Sequence, residues 1–341
     1  MINNSVRWKK DKALSHNKLF TFIIGQRGVG KTFQFKKWAI DDFLRHKKRT
    51  AWVMRYAKEL DAATDKGKFF EDILNLYPNY EFRIEKGNGF IRENDGLGDQ
   101  SQIPWERFIS FKALSEVSLK AISDPTVNKI IFDEFLPLPG IRYLKNEVER
   151  FLEYYFTIFR QGDGRAFFLG NNITIASPYF SYLNVKPPRE GEIIDYPEIC
   201  IENVKNDAYK NAMHETRFGR LVRGTHYEQY AIENESLINL TAFVMPRPRG
   251  AVCYVQIATQ MGPLYLWIAK PHSIFISLRG DPNVSTWAVD ESSHTEKSEY
   301  IGFAGHLAKN LIKSNYAVGT LFFDSEEAKA RFIATCGGLL K

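Results

Sequence analysis

The chain has 341 residues, 44% hydrophobic and 14% aromatic, enough for two cores, and no apolar run approaches the ~20 residues of a membrane-spanning helix. Its 46 basic and 40 acidic residues leave a net charge of +6, compatible with an anionic partner and equally with an ordinary solvated surface. Cys200, Cys253 and Cys336 lie far apart with no C-x-x-C spacing, against a zinc site or disulfide framework, and the polar start MINNSVRWKKDK has no apolar core of a secretion signal.

The first element is an apolar run, Leu19 to Ile24, of the kind expected for a strand buried on both faces of a parallel sheet. It leads into Gly25-Gln26-Arg27-Gly28-Val29-Gly30-Lys31-Thr32, which fits the G-x-x-x-x-G-K-[ST] pattern. In such a loop glycines turn successive backbone N–H groups onto phosphate oxygens, Lys31 places a charge on the outer phosphates, and the Thr32 hydroxyl ligates Mg²⁺. Beyond Thr32 the period becomes helical, with Ile40, Phe43 and Leu44 on one side and Lys36, Lys37, Asp41 and Asp42 on the other. The helix N-terminus then faces the phosphates. The loop predicts ATP binding.

Further strands are expected at Ala51–Met54, Ile109–Phe111, Lys129–Phe132 and Ala166–Leu169, separated by helical or polar stretches, which predicts an α/β fold with a mainly parallel sheet. A glycine-containing region, Glu85 to Gly98, reads as a hairpin with loops. Ile130-Ile131-Phe132 runs into Asp133-Glu134, where the first acid would hold Mg²⁺ and the second would polarise an attacking water. A Glu directly after the Asp favours a hydrolytic motor over many kinases. An aromatic helix, Lys145 to Phe159, ends at Arg160. That residue could serve as an arginine finger in a neighbouring subunit or simply cap its own helix. The Ala166–Leu169 strand ends in Gly170-Asn171-Asn172 and would lie between the loop-bearing and Asp-Glu strands, where Asn171 could sense the γ-phosphate. Arg27, inside the loop, could reach Glu134 and hold it inactive.

KPPREGE, from Lys186 to Glu192, and the mixed-charge stretch Glu202 to Glu215 mark the end of the nucleotide domain, giving residues 1–205 as that domain, 206–230 as a linker and 231–341 as a smaller α+β domain. The last begins with a meander over Ala251–Thr259, Leu264–Ala269 and Ser273–Leu278, followed by helices near Tyr300–Lys313 and Ser325–Cys336.

With these residues assembled, the chain resembles the DNA-packaging ATPases, or encapsidation proteins, of small phi29-like podophages. GQRGVGKT resembles that family's G-x-R-G-x-G-K-[ST], IIFDEF its Asp-Glu strand, and Phe159-Arg160 its aromatic-Arg pair; SPYF (177–180) and TRFGRLVRGTHY (216–227) correspond to segments after the sensor strand and in the linker. The resemblance implies a P-loop NTPase of the additional-strand, catalytic-glutamate type that uses ATP and Mg²⁺. Lys31, Thr32 and Asp133 would hold the nucleotide and metal, Glu134 would act in catalysis and Asn171 as sensor. Arg160 and Lys120 would act across a subunit interface. It further implies double-stranded DNA as cargo, a homo-oligomeric ring (a pentamer, from the resemblance) and a capsid portal as docking partner, and leaves open a scaffold RNA. The setting would be the cytoplasm of an infected bacterium, with transient attachment to the procapsid and no membrane. The C-terminal domain would be RNase H-like and vestigial as a nuclease, since Asp281, Asp290, Glu291 and Glu299 fall in polar turns rather than at a two-metal spacing. Departures are the QGDG after Arg160 and Ala57, with Lys58 next, where the family has lysine; Lys58 and Lys86 are the candidate DNA contacts. A small-molecule or nucleoside kinase and a non-hydrolytic assembly subunit remain as alternatives.

Overall fold

A computed structural model describes residues 7–94, 103–116, 124–137, 141, 143–160, 163–171, 177–225, 227–228, 232–233, 243–269, 273–301 and 306–340. Chain contacts divide the protein into two compact units: 1–173 with 187–235, and 174–186 with 236–341. Helices are α1 (Asp11–Ser15), α2 (Lys31–His46), α3 (Ala57–Thr64), α4 (Glu147–Phe159), α5 (Pro178–Tyr182), α6 (Asp207–His214) and α7 (Arg217–Val222); α5 belongs to the second unit and the others named here to the first.

The first unit is built on nine strands: β1 (Phe20–Gly25), β2 (Arg49–Met54), β3 (Tyr80–Glu85), β4 (Asn88–Glu93), β5 (Glu106–Ala113), β6 (Val127–Asp133), β7 (Arg165–Asn171), β8 (Ile193–Asp195) and β9 (Ile199–Val204). They lie in the order β3-β4-β5-β2-β6-β7-β1-β9-β8. The six central strands, β5 to β9, are mutually parallel, while β3, β4 and β8 add antiparallel edges. The expected α/β sheet is therefore present, and β7 lies between β1 and β6 as the loop-to-carboxylate chemistry requires.

Every residue of β1 is buried, because both of its faces are covered. On one face Phe22 stacks on Phe168 at 4.3 Å, and Phe151 of α4 lies against Phe168 and parallel to Phe132. On the other, Phe35 and Trp38 of α2 close on Phe167. Val148, Phe151, Tyr154 and Ile158 are the buried stripe of α4, at helical spacing, and Arg160 stands at the end of the helix that this stripe packs down.

Two readings of the sequence need correction here. The hairpin spans β3 and β4 with its turn at Lys86-Gly87, so its first strand begins five residues before the expected Glu85. The polar stretch from Glu202 conceals the C-terminal half of β9, which pairs directly with β1. Its Glu202 is only 7% exposed and accepts the indole N–H of Trp8 at 2.9 Å, which is why a carboxyl is tolerated in a covered strand. Burial raises the Glu202 pKa, partly offset by the Trp8 hydrogen bond.

The second unit carries β10 (Val252–Ala258), β11 (Leu264–Ala269), β12 (Ser273–Ser277), β13 (Thr286–Ala288), β14 (Ser298–Tyr300) and β15 (Leu321–Phe323), ordered β14-β13-β10-β11-β12-β15. The meander is present, and β11 is the strand that runs against the other five. The stretch β12-β11-β10-β13-β14 thus has the 3-2-1-4-5 order expected of an RNase H-like sheet. Helices Leu307–Ala317 and Glu326–Cys336 follow β14 and β15. The first begins later than expected, because Tyr300 closes β14 and Ile301 is a fully buried core residue.

Candidate nucleotide site

The loop joins a central strand to the longest of the described helices. Gly28 and Gly30 take φ of +77° and +101°, a left-handed backbone that side-chain-bearing residues rarely adopt, so the glycines are needed here for conformation. Gly25 meets a different demand: a Cβ there would stand 2.7 Å from that of Val204, so the end of β9 approaches too closely for any side chain.

Lys31 is 6% exposed and its ammonium turns back into the loop, donating to the carbonyls of Gly25 and Gln26 at 2.8 Å each and to Oδ1 of Asn171 at 3.2 Å. Burial lowers its pKa to about 7, against the attraction of Asp133 and Glu134. A desolvated cation in a glycine cradle fits an anionic phosphate, which would restore the charge that burial disfavours. Asp133 at the end of β6 accepts the Thr32 hydroxyl at 3.0 Å. Its pKa is raised to about 6 by burial and by Glu134, with Thr32, Lys36 and Lys31 opposing. A hydroxyl paired with a buried carboxylate is a donor set suited to Mg²⁺. Glu134 is the next residue, exposed, with φ +56°. A non-glycine residue held there costs of order 1 kcal/mol, so the surrounding structure must enforce it.

Arg55, immediately after β2, supplies that enforcement, and sequence reasoning missed it. Its guanidinium is 2% exposed and donates to the Glu134 carbonyl at 3.1 Å and the Phe135 carbonyl at 2.6 Å. It also forms a bidentate pair with the buried Glu147 of α4 at 2.7 and 3.0 Å. Glu147 in turn accepts the backbone N–H of Leu144. Ninety-two residues separate the partners, beyond the reach of any local pattern.

Asn171 lies where the sequence placed it, paired in register with Gly25 and bonded to Lys31. The Gln26 side chain is buried and donates to the Ile232 carbonyl at 2.5 Å. Arg27 is exposed and makes no hydrogen bond or ion pair with Glu134. Arg160 caps α4 through its own N–H to the Phe156 carbonyl (2.7 Å), with φ +48°. Its exposed side chain makes no hydrogen bond or ion pair among the described residues. The local support is specific: the Tyr155 hydroxyl donates to the Gly164 carbonyl at 2.6 Å, and a Cβ on Gly164 would fall 2.1 Å from the Phe159 ring. Lys58 (α3) and Lys86, at the hairpin tip, are exposed, while Lys120 lies outside the described residues.

In TRFGRL, Thr216 caps α7 by accepting the Gly219 N–H, and Gly219 packs so tightly that a Cβ would lie 2.0 Å from the Met213 carbonyl oxygen. Arg217, Phe218 and Leu221 are exposed. In the second unit Asp290 is engaged by Ser292, Ser293 and Gln260, Asp281 caps a turn at Asn283, and Glu299, on β14 rather than in a turn, lies 3.9 Å from His306.

A glycine loop feeding a helix from a central strand, with a further strand between it and the Asp-Glu strand, defines a P-loop NTPase of the additional-strand, catalytic-glutamate class. The chain belongs to the Podovirus DNA encapsidation protein (Gp16) family, which matches residues 2–335. It is 28% identical over 319 residues to a DNA packaging protein of Bacillus phage B103, covering 92% of this chain and 95% of that one. It is 26% identical over 337 residues to that of Bacillus phage phi29, covering 95% of each. Among solved structures, the phi29 genome packaging motor assembly aligns with a TM-score of 0.69 at 24% identity over 98% of this chain and 100% of that one. The N-terminal domain of the phi29 DNA packaging ATPase aligns at 0.50 and 26% identity over 58% and 96%.

Proposed function

We propose that this protein is an ATP-driven translocase that packages double-stranded viral DNA into a preformed capsid, working as a ring whose sites are completed by neighbouring subunits. The observation that carries this reading is the Thr32–Asp133 pair beside an exposed Glu134 held in a left-handed turn. Lys31 neutralises the outer phosphates, Thr32 and Asp133 hold Mg²⁺, and Glu134 takes the proton of the attacking water. When bound, the metal would supply neutralisation of the outer phosphates' charge. Asn171, already bonded to Lys31, reports the occupancy of the loop to β7. Arg160 and Lys120 reach the site of the next subunit, and Arg27, exposed on the loop, contributes to nucleotide binding.

Lys58 and Lys86 contact DNA phosphates without reading sequence, so binding weakens steeply with salt. Residues 1–205 form the motor domain, 206–230 the linker and 231–341 a portal-docking domain without nuclease activity. A pentameric ring on a capsid portal in the host cytoplasm, with or without an RNA scaffold, completes the proposal.

The test is ATP turnover with and without long duplex DNA. DNA-stimulated turnover that Glu134→Gln lowers by about 10²–10⁴-fold supports the reading. Turnover that ignores DNA and requires a small acceptor would sink it.

A further inference from the structure

The roles above account for the phosphate end of the nucleotide and leave its nucleoside end unassigned. Lys31 and Thr32 mark the outer phosphates, and the next residue of α2 is Phe33. The guanidinium of Arg7 lies over the Phe33 ring, 3.9 Å from its centroid. Arg7 is far from the loop in sequence but fixed to it in space. The backbone N–H of Trp8 donates to the Val29 carbonyl at 3.0 Å, and the Trp8 indole is tied to Glu202. The Arg7 stem fills the space beside Gly30, where a Cβ would meet its Cβ and Cδ at 3.2 Å. The Tyr209 hydroxyl of α6 likewise comes within 2.3 Å of where a Gly28 Cβ would stand. The glycines therefore admit two side chains against the outside of the loop as well as a ligand within it. Arg7 is only partly exposed, and it forms no hydrogen bond or ion pair among the described residues.

We propose that Arg7, backed by Phe33, is the base-stacking residue of this site: the guanidinium presents its free face to the purine ring of the bound nucleotide. A planar guanidinium stacks on aromatic faces on both sides, whereas an ammonium interacts as a point charge, so the plane and not only the charge is required. No base-edge hydrogen bond is involved, so purine is favoured over pyrimidine because its ring is larger. The inference rests on the ATP-binding reading of the loop, and two probes separate the two.

The full-length protein is titrated calorimetrically with a non-hydrolysable ATP analogue and, separately, with inorganic tripolyphosphate, both with Mg²⁺. Wild type, Arg7→Ala and Arg7→Lys are compared. The expected result is that Arg7→Ala binds the ATP analogue about tenfold more weakly, that Arg7→Lys does not restore it, and that tripolyphosphate affinity is unchanged in both. Unchanged tripolyphosphate binding also certifies that the loop is intact. Equal loss for both probes, full rescue by lysine, or no loss for the ATP analogue overturns the stacking role. Wild-type protein that binds neither probe overturns the nucleotide site itself.

Discussion

Two arginines of the first unit stand in opposite circumstances. Arg55 is buried, and its guanidinium is bonded to a carboxylate and two carbonyls, so it acts within its own chain as a clamp on the Glu134 turn. Arg160 is exposed on a positive-φ backbone that Gly164 and the Tyr155 hydroxyl support, and its side chain has no partner among the described residues. Strain without a local reward is reasonable where the side chain's partner lies elsewhere. The contrast separates a residue that prepares its own site from one whose proposed partner lies on the next subunit.

The comparison is broken most sharply at Arg160. Arg160→Ala should lower DNA-stimulated turnover by about 10³-fold, the lower end for an arginine finger, while the melting temperature stays unchanged, because nothing internal is lost. A drop in melting temperature would show that the residue serves its own helix.

Arg55→Ala should behave oppositely. It strands the buried Glu147 carboxylate and frees the Glu134 turn, destabilising the protein by about 3–5 kcal/mol, measurable by denaturant unfolding. A variant as stable as wild type would mean that the clamp is dispensable.

The smallest effect is a pH dependence. Burial and Glu134 push the Asp133 pKa up to about 6. Mg²⁺ requires its ionised form, so Mg²⁺-dependent ATP affinity should fall by up to about tenfold per unit below that pH; above about 7 it should fall as well, because burial lowers the Lys31 pKa to about 7 and phosphate binding needs its ammonium. Asp133→Asn should remove the acid-side dependence as well as most of the affinity. An unaltered pH profile in that variant would place the titration on another group.

These residues also show what was legible in the sequence. The loop, the Asp-Glu pair and Asn171 each follow a local pattern at a strand end, and the apolar runs of β1, β6 and β7 have the continuous hydrophobicity of covered parallel strands. β9 escaped because its buried Glu202 and Asn203 look like surface residues. The three-residue strands β13, β14 and β15 are shorter than any readable period. Arg55, Glu147, Arg7 and Tyr209 act through contacts between distant segments, and no spacing announces those. The RNase H-like order was likewise reached through resemblance, since alternation alone yields strands without their neighbours.

The central claim is that the site is shared between subunits. Arg160→Ala retains a working P-loop but offers no finger, and Lys31→Ala retains the finger but cannot use nucleotide. Mixing the two, each inactive by itself, and measuring DNA-stimulated ATP turnover tests the claim directly. The shared site predicts that activity reappears in the mixed rings, where an intact loop faces an intact Arg160. A mixture as inactive as its components would contradict it.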